Sequence, residues 1–420
     1  MRDNISSIHR APVGTPIGTP DATATVPDRR AYRVASLDIL RGLVIVAMAL
    51  DHVRDFVMIA AVQDPTTDPA TGPLLFATRW ITHFCAPTFV FLAGTSAGLM
   101  ASRRKPSELA RLLLTRGAWL IALEVLVVST AWSFAPTGIA ELGGRPYIGL
   151  QVIWVIGASM VALAGAQFLG RRGVFAIGAA IVVSHNLLDA VWPAASTTGS
   201  TAPLWAVLHA RQLYVVGPLS IFFSYPLLPW IGVLFVGYGA AGLFERPEKR
   251  RAEQLLRIGV GMVVAFLLLR ALNVYGDPHP WSIDPSRTAA SVMSFLGTTK
   301  YPPSLLYLLM TLGPAAIACA FVDRLHGWVS HALSTLGRAP LAFYIAHLYL
   351  IHAAAILLGV AQGFAARQFV THYRYFPKGF GVGLPGVYLI WIAVVALLYP
   401  LCRWVAAVKA RRQDWWLSYV

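Results

Sequence analysis

The chain has 420 residues, of which 57% are hydrophobic and only 13% charged, and it carries a formal net charge of +15. Soluble domains are far more polar, so this composition excludes an ordinary globular protein and points to one that crosses a membrane several times. The basic excess does not imply a nucleic-acid partner, because Lys and Arg gather at the ends of apolar stretches rather than on one patch.

Residues 1–35 are rich in Thr, Pro, Ala and Arg and hold no apolar core of a signal peptide, which predicts a disordered cytoplasmic tail. Ten stretches of spanning length then follow, at 37–61, 82–101, 113–134, 148–169, 173–193, 219–243, 255–274, 303–323, 333–361 and 384–408. The expected fold is therefore all-α, a polytopic integral membrane helical bundle of about ten transmembrane helices. That transmembrane domain occupies residues 36–410, and 411–420 forms a C-terminal tail. The basic clusters, including Arg103-Arg104-Lys105, Arg171-Arg172 and Lys409 to Arg412, all fall on one side of a ten-span arrangement. The positive-inside rule makes that side cytoplasmic, with both termini in it, the bundle in the cell inner (plasma) membrane and the basic clusters against anionic lipid.

The first span is the most informative. Its run from Ser36 to His52 places Asp38, Arg41, Asp51 and His52 in a stretch otherwise fit for lipid. Ionisable groups at bilayer depth are costly and mark functional positions by default. Arg41 and His52 are separated by three helical turns, roughly 16 Å of rise. They share a face with Asp38, Ile45, Met48 and Asp55, which predicts a polar track from the cytoplasmic surface toward the membrane middle. Arg41 is suited to hold a phosphate in bidentate fashion, with Asp38 beside it. Arg338, at the cytoplasmic start of the ninth span, is a second phosphate candidate or an ordinary positive-inside residue.

Three histidines are candidate bases: His52, His83 at the outer start of the second span, and His347 within the ninth. A buried imidazole is held neutral by desolvation, which suits a proton acceptor, although such a residue can also simply bond helices together. Cys85, Cys319 and Cys402 lie inside spans and read as packing residues. Glu124, Gln151, Gln167 and Arg270 read as interhelical hydrogen bonds or ion pairs, and His185 with Asp189 as a pair one turn apart. No HExxH, paired-cysteine or GxSxG motif is present, so metal chemistry and serine hydrolysis have no support.

Four motifs occur in order. They are Ser36-Leu-Asp-Ile-Leu-Arg-Gly42 with its Arg41-x10-His52 spacing, Ala86 to Ser96, Thr298-Thr-Lys-Tyr-Pro-Pro-Ser304, and Gly337 to His347. Together they resemble the bacterial branch of the heparan-alpha-glucosaminide N-acetyltransferase family, and the first is similar to a signature of the wider transmembrane acyltransferases. The resemblance implies acetyl transfer from cytoplasmic acetyl-CoA to an amine or hydroxyl, usually of a saccharide, on the outer side, with no metal. It also implies that Arg41 contacts CoA and His52 is the catalytic histidine, with His83 as its rival and His347 matching a histidine of a late helix. Lys300, Tyr301 and Tyr344 fall inside the motifs and are the candidate substrate-binding residues. A transporter or flippase of a small solute or lipid-linked sugar is the alternative from another class, and self-association is left open.

Overall fold

The computed structural model describes residues 35–59, 64–68, 70–191, 202–412 and 414. The expected N-terminal tail lies outside the described residues except for Ala35, as does the C-terminal tail except for Arg411, Arg412 and Asp414. The helices in chain order are α1 (Ala35–Val57), α2 (Pro73–Thr82), α3 (Cys85–Ala101), α4 (Pro106–Leu123), α5 (Ser129–Ser133), α6 (Val152–Ala166), α7 (Gly170–Ser184) and α8 (Leu188–Val191). They continue with α9 (Ala202–Leu208), α10 (Leu227–Gly239), α11 (Glu248–Leu272), α12 (Thr288–Leu296), α13 (Leu305–Phe321), α14 (Gly327–Arg338), α15 (Pro340–Ala361) and α16 (Leu384–Arg411). Among the described residues seven helical stretches are long and apolar enough to cross a membrane, and α10 extends through a 3-10 turn into a shorter apolar helix, Leu227–Leu243. The protein is thus a polytopic membrane bundle. On α11 and α16, Leu268, Leu272, Leu389 and Leu397 stay exposed, as lipid-facing side chains do.

Local sequence explains the helix ends. Proline opens α2, α4 and α15, where its missing N–H would have no partner in any case. Ser304 caps α13, its hydroxyl accepting the Tyr307 N–H at 3.0 Å. The structure corrects three expected spans. The ninth is two helices, because Ala339 precedes Pro340 and takes φ −125, ψ 46, outside the helical region. The sixth starts later than expected, since Leu219–Phe223 is a strand and the helix begins only after Pro226. The fourth likewise begins with strand residues.

Those strands form a three-stranded sheet within the otherwise helical bundle, in the order β1 (Tyr147–Leu150), β3 (Leu219–Phe223), β2 (Gln212–Val216). β2 and β3 make an antiparallel hairpin whose turn starts at Gly217, φ +55, while β1 lies parallel to β3 with Tyr147 opposite Ser220. The sheet delivers Tyr147, Gln151, Phe222 and Ser224 to one polar cavity.

α1 is held against α14 by two glycines. A Cβ on Gly42 would lie 1.9 Å from the Leu333 carbonyl oxygen, and one on Gly337 would lie 1.8 Å from that of Asp38. Only glycine lets the two backbones approach this closely. Gly42→Ala is therefore expected to push the helices apart and cost about 1 to 3 kcal/mol, the usual penalty of overpacking. Thermal unfolding of the detergent-solubilised protein checks this, and an unchanged melting temperature would refute the backbone contact.

Candidate active site

The stripe expected on α1 lines a file of three cavities. At one end, Arg41 Nη1 donates to Asp38 Oδ1 at 2.9 Å and Nη2 donates to Ser96 Oγ of α3 at 2.6 Å. Ser96 is fixed in turn by donating to the Leu92 carbonyl at 2.7 Å. Arg338 Nε stands 3.8 Å from Asp38 Oδ2, with its side chain 44% exposed. Arg41 and Ser96 edge an otherwise apolar cavity of about 160 Å³, walled by Met48, Phe89, Val152, Ile156 and Tyr344. Four of these, Met48, Phe89, Val152 and Tyr344, also wall the next cavity, which measures about 30 Å³ and reaches His52 and Lys300. His52, Asp51, Gln151, Tyr225 and Lys300 are shared in turn with a third cavity of about 50 Å³. Of the α1 stripe, Arg41, Met48, His52 and Asp55 line this file, while Asp38 and Ile45 are buried behind it.

His52 and His347 meet across 295 positions of sequence, His52 Nδ1 lying 2.7 Å from His347 Nε2 with the ring planes near parallel and their centroids 5.0 Å apart. His347 Nδ1 is 3.0 Å from the Phe343 carbonyl of its own helix. A carbonyl only accepts, so Nδ1 of His347 carries the hydrogen and its Nε2, in the neutral ring, is an acceptor. His52 must then donate from Nδ1. Its Nε2 is left with an unshared lone pair and no hydrogen bond among the described residues. The edge of Trp132 packs against the ring at 5.1 Å and steadies its orientation. This is the arrangement of a general base with its tautomer set by a second residue.

An ion-pair network lies beside His52. Arg79 of α2 pairs through Nη1 with Asp51 Oδ2, and through Nε with Asp64 at 3.4 Å. Arg54 Nη2 lies 3.0 Å from Asp51 Oδ1 and 2.5 Å from Asp55 Oδ1. Burial alone would raise the Asp64 carboxyl, but Arg79 and the Thr66 hydroxyl, at 2.6 Å, outweigh it and hold Asp64 well below the usual carboxylate range. A depressed native value contributes stability that is present above about pH 4 and lost as pH falls through that value. The wild type is accordingly expected to lose stability below about pH 4 more steeply than Asp64→Asn, which is less stable at neutral pH. Melting curves across pH for both proteins check this, and parallel acid limbs would refute it.

Lys300 and Tyr301 reach the third cavity from the loop between α12 and α13. Burial opposes ionisation of the Tyr301 phenol, yet Lys300, Arg79 and Arg211 together pull it below its ordinary value. On the opposite wall His372 is buried and pushed down to about 3. Tyr344 lines both the first and second cavities, and its buried hydroxyl has no hydrogen-bond partner. His83 is fully buried outside the cavity walls, with neither ring nitrogen hydrogen-bonded and its carbonyl accepting from the Tyr307 hydroxyl at 2.7 Å. The structure thus brings His52, His347, Lys300, Tyr301 and Tyr344 together and sets His83 apart from the cavities.

Several residues take roles that the sequence did not show. Arg79, Arg211 and Arg374 line the third cavity, although each falls in a stretch expected to be a loop. Glu124 has no cation within salt-bridge distance among the described residues and instead accepts the Trp154 N–H at 2.8 Å, at the start of α6. Arg270 donates to four backbone carbonyls, those of His279, Ser294, Phe295 and Gly297, and so ties down the segment that leads to Lys300. Asp189 pairs with His209 at 2.6 Å rather than with His185. A larger cavity, about 620 Å³ between α3, α7, α10, α11 and α13, is apolar apart from Arg171, Arg172, Thr88 and Cys319 at its walls. It holds no general acid or base, so size does not locate the chemistry here. Among the described residues no group of three or more His, Cys, Asp or Glu side chains is arranged to hold a metal ion.

A family model described as heparan-alpha-glucosaminide N-acetyltransferase, catalytic, matches residues 33–276, more than half of the chain. That stretch contains Arg41, His52, His83, Arg79 and Gln151, and ends before Lys300, Tyr344 and His347. A search of curated proteins finds no match.

Proposed function

Because this chain belongs to the heparan-alpha-glucosaminide N-acetyltransferase family, we propose that it moves an acetyl group from cytoplasmic acetyl-CoA to an amine or hydroxyl of a saccharide on the other side of the membrane. The observation that carries this reading is the free Nε2 of His52 at the narrow middle of the cavity file. The first cavity takes the donor. Arg41, paired with Asp38 and Ser96, meets the CoA phosphates, with Arg338 nearby, and the apolar wall accepts the pantetheine arm. The rise from Arg41 to His52, roughly 16 Å, suits an extended arm that brings the thioester to the base.

The acceptor enters the third cavity. His52 Nε2 takes the proton of the acceptor O–H or N–H while the acceptor lone pair attacks the thioester carbonyl carbon. Negative charge develops on the carbonyl oxygen, where the unpartnered Tyr344 hydroxyl donates to it. As the C–S bond breaks, the CoA thiolate leaves and takes the proton from His52, giving CoA and the acetylated product. His347 works as a positioning residue: its acceptor nitrogen keeps the His52 hydrogen on Nδ1 and stabilises the imidazolium that forms in passing.

Acetyl-CoA should raise the melting temperature of the purified protein, and membranes supplied with labelled acetyl-CoA should transfer label to a glycan. Absence of both effects would refute the donor assignment. Reporter fusions after Ala70, Trp205, Ala290 and Val370 should all report the side opposite the termini, and a cytoplasmic signal from any of them would overturn the proposed orientation.

A further inference from the structure

The charges around the third cavity do not balance. Five basic side chains line it, Arg54, Arg79, Arg211, Lys300 and Arg374, against two carboxylates, Asp51 and Asp55. Both carboxylates are already engaged, Asp51 by Arg54 and Arg79 and Asp55 by Arg54. The remaining three cations lie against aromatic rings, with Asp51 and Asp55 farther off. Arg211 stacks over Tyr301 at 4.2 Å and Phe222 at 5.3 Å, Lys300 Nζ lies 5.2 Å from the Tyr301 ring, and Arg374 lies 5.8 Å from Phe222. Among the described residues none of these three has a carboxylate within salt-bridge distance.

Two buried donors in the same wall also lack acceptors: Arg54 Nη1, on a residue only 2% exposed, and Arg211 Nε. An uncompensated donor of a charged group is expensive away from water, and three like charges around one small cavity repel. A bound anion removes both costs. The cations are also graded in depth, from exposed Arg374 through half-buried Arg211 to Lys300, 6% exposed and beside His52. That order gives an anionic ligand a path inward to the base.

The geometry points to an anion-binding subsite, formed by Arg211, Lys300 and Arg374, that selects an acceptor bearing a carboxylate or phosphate close to the amine or hydroxyl that reacts. The subsite deepens the acetyltransferase reading, on which it rests for the fate of the acceptor but not for its binding. A void of about 50 Å³ admits only the reacting end and its charged substituent, so the rest of the acceptor lies outward past Arg374.

The test is calorimetric titration of the full-length, detergent-solubilised protein, without acetyl-CoA, with three amino sugars: glucosamine, and glucosamine 1-phosphate and 2-amino-2-deoxygluconate, whose anionic groups sit at the carbon next to the one that bears the amine. At least one anionic sugar should bind about tenfold or more tighter than glucosamine, as a charge-assisted contact requires, and which one does so separates phosphate from carboxylate. Arg211→Gln and Arg374→Gln, each shown to be folded by its melting curve, should shrink that gap while leaving glucosamine binding in place. Equal affinities, no binding of either anionic sugar, or a gap unchanged in both variants would overturn the subsite. Acetyl-CoA binding is measured separately: its absence alongside an intact anion preference overturns the donor assignment and supports the subsite, and the reverse result does the opposite.

Discussion

His52→Ala is expected to abolish acetyl transfer, lowering turnover by about 10²- to 10⁴-fold, the usual contribution of a positioned base. Binding of acetyl-CoA should stay near wild type, because the imidazole acts on the acceptor proton rather than on the donor, so the loss falls on kcat. The pair geometry makes a second, sharper demand. His347→Leu removes the acceptor that holds the His52 hydrogen on Nδ1, whereas His347→Gln keeps an oxygen able to receive it. The glutamine variant should therefore retain more activity than the leucine variant, with both above His52→Ala. His83 lies outside the cavity walls, so His83→Ala should reduce activity least. Steady-state kinetics on the four folded variants decide the matter. If His83→Ala abolished turnover while His52→Ala left it near wild type, the base would be misassigned.

Arg41→Ala is expected to weaken acetyl-CoA binding by about 2 to 5 kcal/mol, the cost of leaving a charged partner unpaired. Arg338 lies 3.8 Å from Asp38, so the carboxylate left behind keeps a cation nearby and the fold should survive. Arg41→Lys should recover only part of the affinity, since an ammonium cannot bridge Ser96, Asp38 and a phosphate as a planar guanidinium does. Calorimetry on the purified variants checks this, and an unchanged affinity in folded Arg41→Ala would remove Arg41 from the donor site.

What could be read in the sequence was whatever broke a local rule. Charges on an apolar helix stand out, so the stripe of Arg41, Met48, His52 and Asp55 was visible before any contact was known. The partnership of His52 with His347 was not, because nothing local in either helix encodes a contact between residues so far apart. Arg211 and Arg374 were hidden for a different reason: in loops, arginine is ordinary, and only folding shows that these two turn inward onto Tyr301 and Phe222. The sheet was missed because Leu219–Phe223 is an unbroken apolar run, which reads equally as buried strand or buried helix. The break before α15 did have a signal, Ala339-Pro340, overridden by the hydropathy on both sides.

The waist of the cavity file bears on what the protein does not let through. The first and third cavities approach from opposite ends, and the space between them measures only about 30 Å³. The Lys300 side chain stands at the wall of that neck, where its positive charge repels cations that approach it. In the proposed reaction the two substrates touch only at their reacting tips. An acetyl group passes this neck in that reaction while Lys300 holds cations back from it.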